Sequence, residues 1–288
     1  MYKKFFNKFF FFYILIFISI SACTLFEPVS PVASYIHIDA IRVQTDYLTQ
    51  GSNSSTITDA WVIYDNKYLG TFPLPADIPL IGEGLHNIII RGGIIENGIF
   101  ATRAAYPKYT SFDTTLILSS TDKIFLSPSI TYVSGNNFPQ IEDFDDASLS
   151  LVTTTIGTAP LVITQQSDTN SYEGNSGSTI LNDSNTVFEV ASSTAFALPL
   201  NTTSYVELNY KCDIGFSVGV FIASTSGVVK SDLLFVKASP VWKKIYINLS
   251  NTGGIVTDAV NYKIYLHAEK DPVLASANLY FDNLKVVY

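Results

Sequence analysis

Charge is scarce in this 288-residue chain, where only 15% of residues are Asp, Glu, Lys or Arg. The hydrophobic share is nevertheless 47% and the aromatic share 14%, so the scarcity does not signal disorder. Basic residues are the minority, 17 against 25 acidic, giving a formal net charge of −8. No basic cluster follows the first ten residues, which argues against a nucleic-acid partner. Histidine is limited to His37, His86 and His267, far apart and without metal-ligand company. The chain also lacks G-x-S-x-G, H-E-x-x-H, a P-loop and a dinucleotide fingerprint, so the enzyme classes that carry those motifs fall away. Paired glycosidase carboxylates are a spatial relation that spacing alone does not test. Beyond the N-terminal segment, no hydrophobic run approaches the roughly 18 residues of a spanning helix.

The exception to that polarity lies at the start. Met1 to Lys8 carry Lys3, Lys4 and Lys8 with no acid, and Phe9 to Ile20 form an apolar run ending at Ser21-Ala22-Cys23. A positive start, a short apolar stretch and small residues before a cleavage point read as a signal peptide over residues 1–22. At about 1.5 Å per residue the run is too short for a hydrocarbon core of about 30 Å. Ile20-Ser21-Ala22-Cys23 resembles the lipobox of bacterial lipoproteins, and the resemblance implies acylation of Cys23 and anchoring to a membrane. An ordinary secretory signal with an incidental Cys is the alternative. Cleavage before Cys23 removes three lysines and no acid, taking the formal charge from −8 to −11. Cys212 would then be the remaining cysteine, so no internal disulfide is expected; it reads as a buried strand residue rather than a catalytic thiol.

Residues 23–34, with Pro28 and Pro31 and no periodicity, suit a lipidated tether. After it, short runs rich in Ile, Val, Tyr, Phe and Thr recur between Gly, Asn, Asp, Ser and Pro clusters, and no stretch has helical spacing. The expected fold class is all-β. Tyr35 to Val43 reads as one strand, and Tyr205, Glu207 and Asn209 alternate with Val206, Leu208 and Tyr210, one face for a core and one for water. Turn residues cluster at Ser134 to Pro139, placing a boundary between an N-terminal β-sandwich, 35–135, and a C-terminal one, 136–288.

In the first unit, Thr58 to Thr71 reads as a hairpin around Asp65-Asn66, followed by Pro73, Pro75, Pro79 and Gly84-Leu85-His86. From Asp59 to Arg91 this resembles a PEGA-type module of bacterial envelope proteins, implying a non-catalytic spacer or binding role. His86 is either a ligand-binding group or a partner of nearby backbone. Glu96 and Arg103 either pair to fix a binding edge or stand as separate surface charges. Trp61 and Trp242, in strongly patterned strands, read as core residues.

In the second unit, four motifs follow in order: Ile141 to Asp146, Ser171 to Ser178, Trp242 to Ile247 and Leu279 to Val287. Their succession from Phe138 to Tyr288 resembles the β-sandwich superfamily of carbohydrate-binding modules, implying a jelly roll. The resemblance further implies a structural calcium ion held by Asp145, Glu173 and Asp282 with carbonyls of Gly174 to Gly177, although Glu142, Asp143 and Asp146 compete with Asp145. Acids on a solvated rim are the alternative.

Taken together, the chain resembles a bacterial envelope lipoprotein of the Bacteroidetes type, with an outer-membrane address facing periplasm or surface. The expected partners are the membrane, through the lipid, and a glycan or an envelope protein. No catalysis is expected, and the ligand-binding residues remain unassigned. A structural or assembly role in a secretion, adhesion or motility complex is the rival reading.

Overall fold

The computed structural model describes residues 32–199, 202–250, 256 and 258–288. The signal segment and Cys23 lie outside the described residues. Within them the chain is β throughout, apart from the four-residue helix α1 (Tyr47–Gln50). No described helix is long and apolar enough to cross a membrane.

The first ten strands are β1 (Ser34–Ile38), β2 (Arg42–Gln44), β3 (Asp59–Tyr64), β4 (Lys67–Pro73), β5 (Ala76–Leu80), β6 (Gly84–Ile95), β7 (Arg103–Ala105), β8 (Phe112–Leu118), β9 (Lys123–Leu126) and β10 (Ser129–Thr131). They form three sheets: β5-β1-β9, β10-β2, and β4-β3-β6 with β7 and β8 sharing the far edge of β6. The run Tyr35 to Val43 is two strands, not one. Ile36 and Ile38 point inward in β1, but Ile41 and Val43 point inward from the next stretch, so the two-residue period slips at Asp39-Ala40. That slip turns the chain from the partners of β1 to β10. β1 begins at Ser34, so the tether drawn to residue 34 overlaps it by one residue. The β3–β4 hairpin turns at Asp65 (φ 46°) and Asn66 (φ 63°), two residue types that tolerate left-handed backbone cheaply.

The remaining strands are β11 (Gln140–Glu142), β12 (Leu151–Thr153), β13 (Val162–Thr164), β14 (Ser176–Leu181), β15 (Val187–Ser192), β16 (Tyr205–Cys212), β17 (Phe216–Ser224), β18 (Gly227–Val236), β19 (Ser239–Asn248), β20 (Ala259–Glu269) and β21 (Ala277–Val287). Sheet I has the order β13-β14-β21-β16-β19, with β11 also on β21; sheet II has β12-β15-β20-β17-β18. Every pairing in both is antiparallel, and the non-sequential neighbours give the crossovers of a jelly-roll sandwich. Val206, Leu208, Phe281, Val286, Val218 and Leu266, all fully buried, fill the space between the sheets. Cys212 joins this core, and burial pushes its thiol above the usual range.

The two units meet over the outer face of sheet I. Tyr205, Tyr246 and Val287, on that face, belong to the hydrophobic core of the first unit. The face expected in water is therefore covered: Tyr205 is 3% exposed, Glu207 0% and Asn209 1%. Alternation places these side chains on the correct face, but the first unit packs over it and excludes solvent.

Candidate functional site

Register assigns the outer face of sheet I row by row. Tyr280 lies opposite Lys211; Asn209 opposite Lys244; Lys285 and Tyr246 flank Glu207; Tyr205 faces Asn248. The last two rows carry the joint between units. Glu207 Oε1 accepts the hydroxyls of Tyr106 and Tyr132, each at 2.8 Å, and Oε2 lies 3.2 Å from Lys244 Nζ, near enough for an ion pair though poorly angled for a hydrogen bond. Burial pushes both tyrosine hydroxyls well above their usual range, with the Glu207 charge adding to it. Lys285 donates to the carbonyls of Gln50 (2.6 Å) and Ser52 (2.7 Å), and burial draws its ammonium down to about 8. Glu96 accepts from Tyr205 Oη and Asn248 Nδ2, both at 2.8 Å, while Arg103 pairs with Asp59. The open question of a Glu96–Arg103 pair is thus resolved against it.

An irregular segment, Gly51 to Thr58, crosses the same face. Ser52 Oγ donates to Glu173 (2.5 Å), Ser54 Oγ donates to Asn209 Oδ1 (3.0 Å) and lies 3.3 Å from Tyr172 Oη, and the Thr56 amide donates to Tyr246 Oη (3.0 Å). Beside this segment lie two cavities. One, of about 780 Å³, is lined by Arg42, Gln44, Ser54, Ser129, Tyr172 and Glu173 among others; the second, of about 420 Å³, by Thr56, Thr58, Ile95, Trp242 and Lys244 among others.

Beyond the segment, the first row stays open. Tyr172, Trp242 and Tyr280 form a strip, with ring centroids 5.2 Å apart for Tyr172–Trp242 and 6.5 Å for Trp242–Tyr280. Tyr172 is 43% exposed. Lys211 Nζ lies 5.5 Å from the Tyr280 ring and donates to Asn170 Oδ1 at 2.8 Å. Trp242 Nε1 is a buried donor with no hydrogen-bond partner. Trp242 is therefore not core, and Trp61 likewise occupies an outward face, half-buried against Tyr68. The parity of β19 carries the signal that places Trp242: Ile245 and Ile247 point inward, so Trp242, Lys244 and Tyr246 point out. Sequence reasoning missed Tyr172 and Tyr280, although Tyr280 stands between the fully buried Leu279 and Phe281.

The three carboxylates expected to hold calcium share a corner without forming a ligand set. Asp145 Oδ1 accepts from the Asn175 amide (2.7 Å). Glu173 Oε2 accepts from Ser52 and from Asn283 Nδ2 (3.1 Å). Asp282 accepts from the Glu173 amide (3.2 Å), Ser176 Oγ (2.9 Å) and the Asn283 amide (2.7 Å). Each is committed to its own donors, and among the described residues no three His, Cys, Asp or Glu side chains converge to hold a metal ion. In this arrangement the three acids act as hydrogen-bond acceptors that fix the Tyr172 to Ser176 loop on sheet I. Burial pushes Asp282 up to about 7, with Glu173 adding to the effect and the three donors opposing it.

The histidines are engaged separately. His37 lies between Asp77 (2.5 Å) and Asp39 (3.1 Å); His86 contacts Asp65 (2.7 Å) and stacks on Tyr64; His267 lies 3.0 Å from Glu189. His86 therefore braces the β3–β4 turn.

No family model matches this chain, and no curated protein matches it. Among solved structures, it is similar to a two-module segment, a family 22 carbohydrate-binding module with a GH10 module, of the Clostridium thermocellum endo-1,4-β-D-xylanase 10B complexed with xylohexaose. Identity there is 12% and the TM-score 0.39, over 52% of this chain and 28% of that one. The C-terminal family 22 module of the same xylanase matches at 12% identity and a TM-score of 0.39, over 54% of this chain and 96% of that one. A promiscuous carbohydrate-binding module of the β-sandwich superfamily matches at 12% and 0.39, over 81% and 86%. Each is a likeness of sandwich shape alone.

Proposed function

We propose that this chain is a non-catalytic, lipid-anchored protein of the cell envelope whose C-terminal sandwich binds glycan. The observation that carries the reading is the open strip Tyr172–Trp242–Tyr280, edged by Lys211 and Asn170. Aromatic faces take up the apolar CH faces of sugar rings, while ammonium and amide groups meet the hydroxyls around them. Anchoring rests on the signal segment and Cys23, in the sequence alone. Glycan-array binding by the purified protein, reduced about tenfold or more in Trp242→Ala and Tyr280→Ala at unchanged melting temperature, is the expected result. Absence of glycan binding refutes the reading.

A second reading, a structural or assembly subunit, is favoured by one feature. Leu85 and Ile117 lie directly opposite on β6 and β8, 72% and 71% exposed, an apolar pair open to a protein partner. Recovery of a stoichiometric partner without glycan binding would favour it.

A further inference from the structure

The cavity of about 780 Å³ has walls of different origin and chemistry. Its size lies within the range of small-molecule sites, about 300–1,000 Å³. One wall comes from the first unit, where β2 and β10 run parallel with Arg42 opposite Ser129 and Gln44 opposite Thr131. Ile41, Val43 and Ile130 turn into the core, so alternation turns Arg42, Gln44 and Ser129 outward, and all three line the cavity. The other wall is Tyr172 and Glu173, with Asn53 to Ser55 between.

Arg42 distinguishes this lining from a set of hydroxyls. Arg103 is paired with Asp59, but no carboxylate among the described residues lies within ion-pair distance of Arg42. Arg42 is exposed, so its guanidinium is open to an anion from outside. Glu173, across the cavity, is already held by Ser52 Oγ at 2.5 Å and Asn283 Nδ2 at 3.1 Å, and its charge directs an anion away from that wall. A guanidinium offers a planar fork that matches a carboxylate or a sulfate in two parallel hydrogen bonds. Tyr172 belongs both to this cavity and to the aromatic strip, so a glycan lying on the strip reaches the cavity at that ring.

We propose that the cavity takes an anionic sugar unit, bearing a carboxylate or a sulfate ester, with Arg42 holding the anion and Gln44, Ser54 and Ser129 meeting its hydroxyls. This rests on the glycan reading above and adds that the first unit supplies the selective wall. The test is calorimetric titration of the full chain with tetragalacturonate, a sulfated galactotetraose and neutral cellotetraose. At least one anionic probe should bind about tenfold tighter than the neutral one, and its advantage should vanish near 1 M salt, where the Debye length is about 3 Å. Arg42→Ala should remove that advantage and leave cellotetraose binding within about twofold, with Arg42→Lys intermediate. The anionic probe that responds identifies the anion. Equal affinity for charged and neutral probes, or an Arg42→Ala variant that keeps the preference, overturns the proposal while a loss of all binding in Trp242→Ala still upholds the glycan reading. Failure of the wild-type chain to bind any probe overturns both.

Discussion

Replacing Glu207 by Gln should loosen both units at once. Glu207 is 0% exposed, and the side chain of Lys244, its diagonal neighbour on β19, is 1% exposed. The amide oxygen of the substituted side chain would still accept from Tyr106 and Tyr132, so two hydrogen bonds survive in weakened, uncharged form. Its amino group would face the Lys244 ammonium, donor against donor, and the buried cation would lose its nearest counter-charge. Leaving one member of a buried ion pair uncompensated costs about 3–5 kcal/mol. Removing both charges, in Glu207→Gln with Lys244→Met, should return the loss to within about 1 kcal/mol, because an apolar replacement of a buried pair is commonly neutral or better. Urea unfolding followed by tryptophan fluorescence is a suitable assay, since Trp61 reports on the first unit and Trp242 on the second. Single-tryptophan backgrounds, Trp61→Phe and Trp242→Phe, should show the same midpoint in the parent and a shared fall on Glu207→Gln. A loss below about 1 kcal/mol, or a double variant no better than the single, would refute the account of the joint.

Two further outcomes are expected. Asp282 carries a pKa raised from 3.8 to about 7, so its contribution to stability is complete below its unfolded value and is lost as pH rises through 7. Stability should fall between about pH 4 and pH 7 by no more than about 4 kcal/mol from this group, and Asp282→Asn should flatten that slope; urea titrations at several pH values check it, and an unchanged slope counts against it. Cys23→Ser should move the protein from the membrane fraction to the soluble one, and membrane attachment that persists in the variant contradicts a lipid anchor at that residue.

The β character was legible because alternation within a strand is a local signal. Ile36, Ile38, Ile41 and Val43 even record the break between β1 and β2, as a slip in parity at Asp39-Ala40. Asp65-Asn66 announces its turn by residue type. What covers an outward face is not local. Tyr106 and Glu207 are 101 residues apart, and nothing in the local pattern around either says that one will bury the other. The same limit hid the aromatic strip, since Trp242 on β19 and Tyr280 on β21 are brought near across β16 and Tyr172 comes from a loop packed against Trp242. Acid-rich motifs do not by themselves separate carboxylate metal ligands from carboxylate hydrogen-bond acceptors, because the partners of each acid come from distant strands.

The position of β21 has a consequence for how the chain comes into being. It lies between β14 and β16, carries β11 as well, and buries Leu279, Phe281, Leu284 and Val286 completely. A chain that emerges N-terminus first, from a ribosome or through a translocation pore, has no centre for sheet I until residues 277–287 are out. Until then β13 pairs only with β14 and β16 only with β19, each pair keeps an open edge, and the sandwich closes late, by contacts of long sequence separation. Such a chain would remain threadable until β21 has passed and depend on holding factors until that strand arrives.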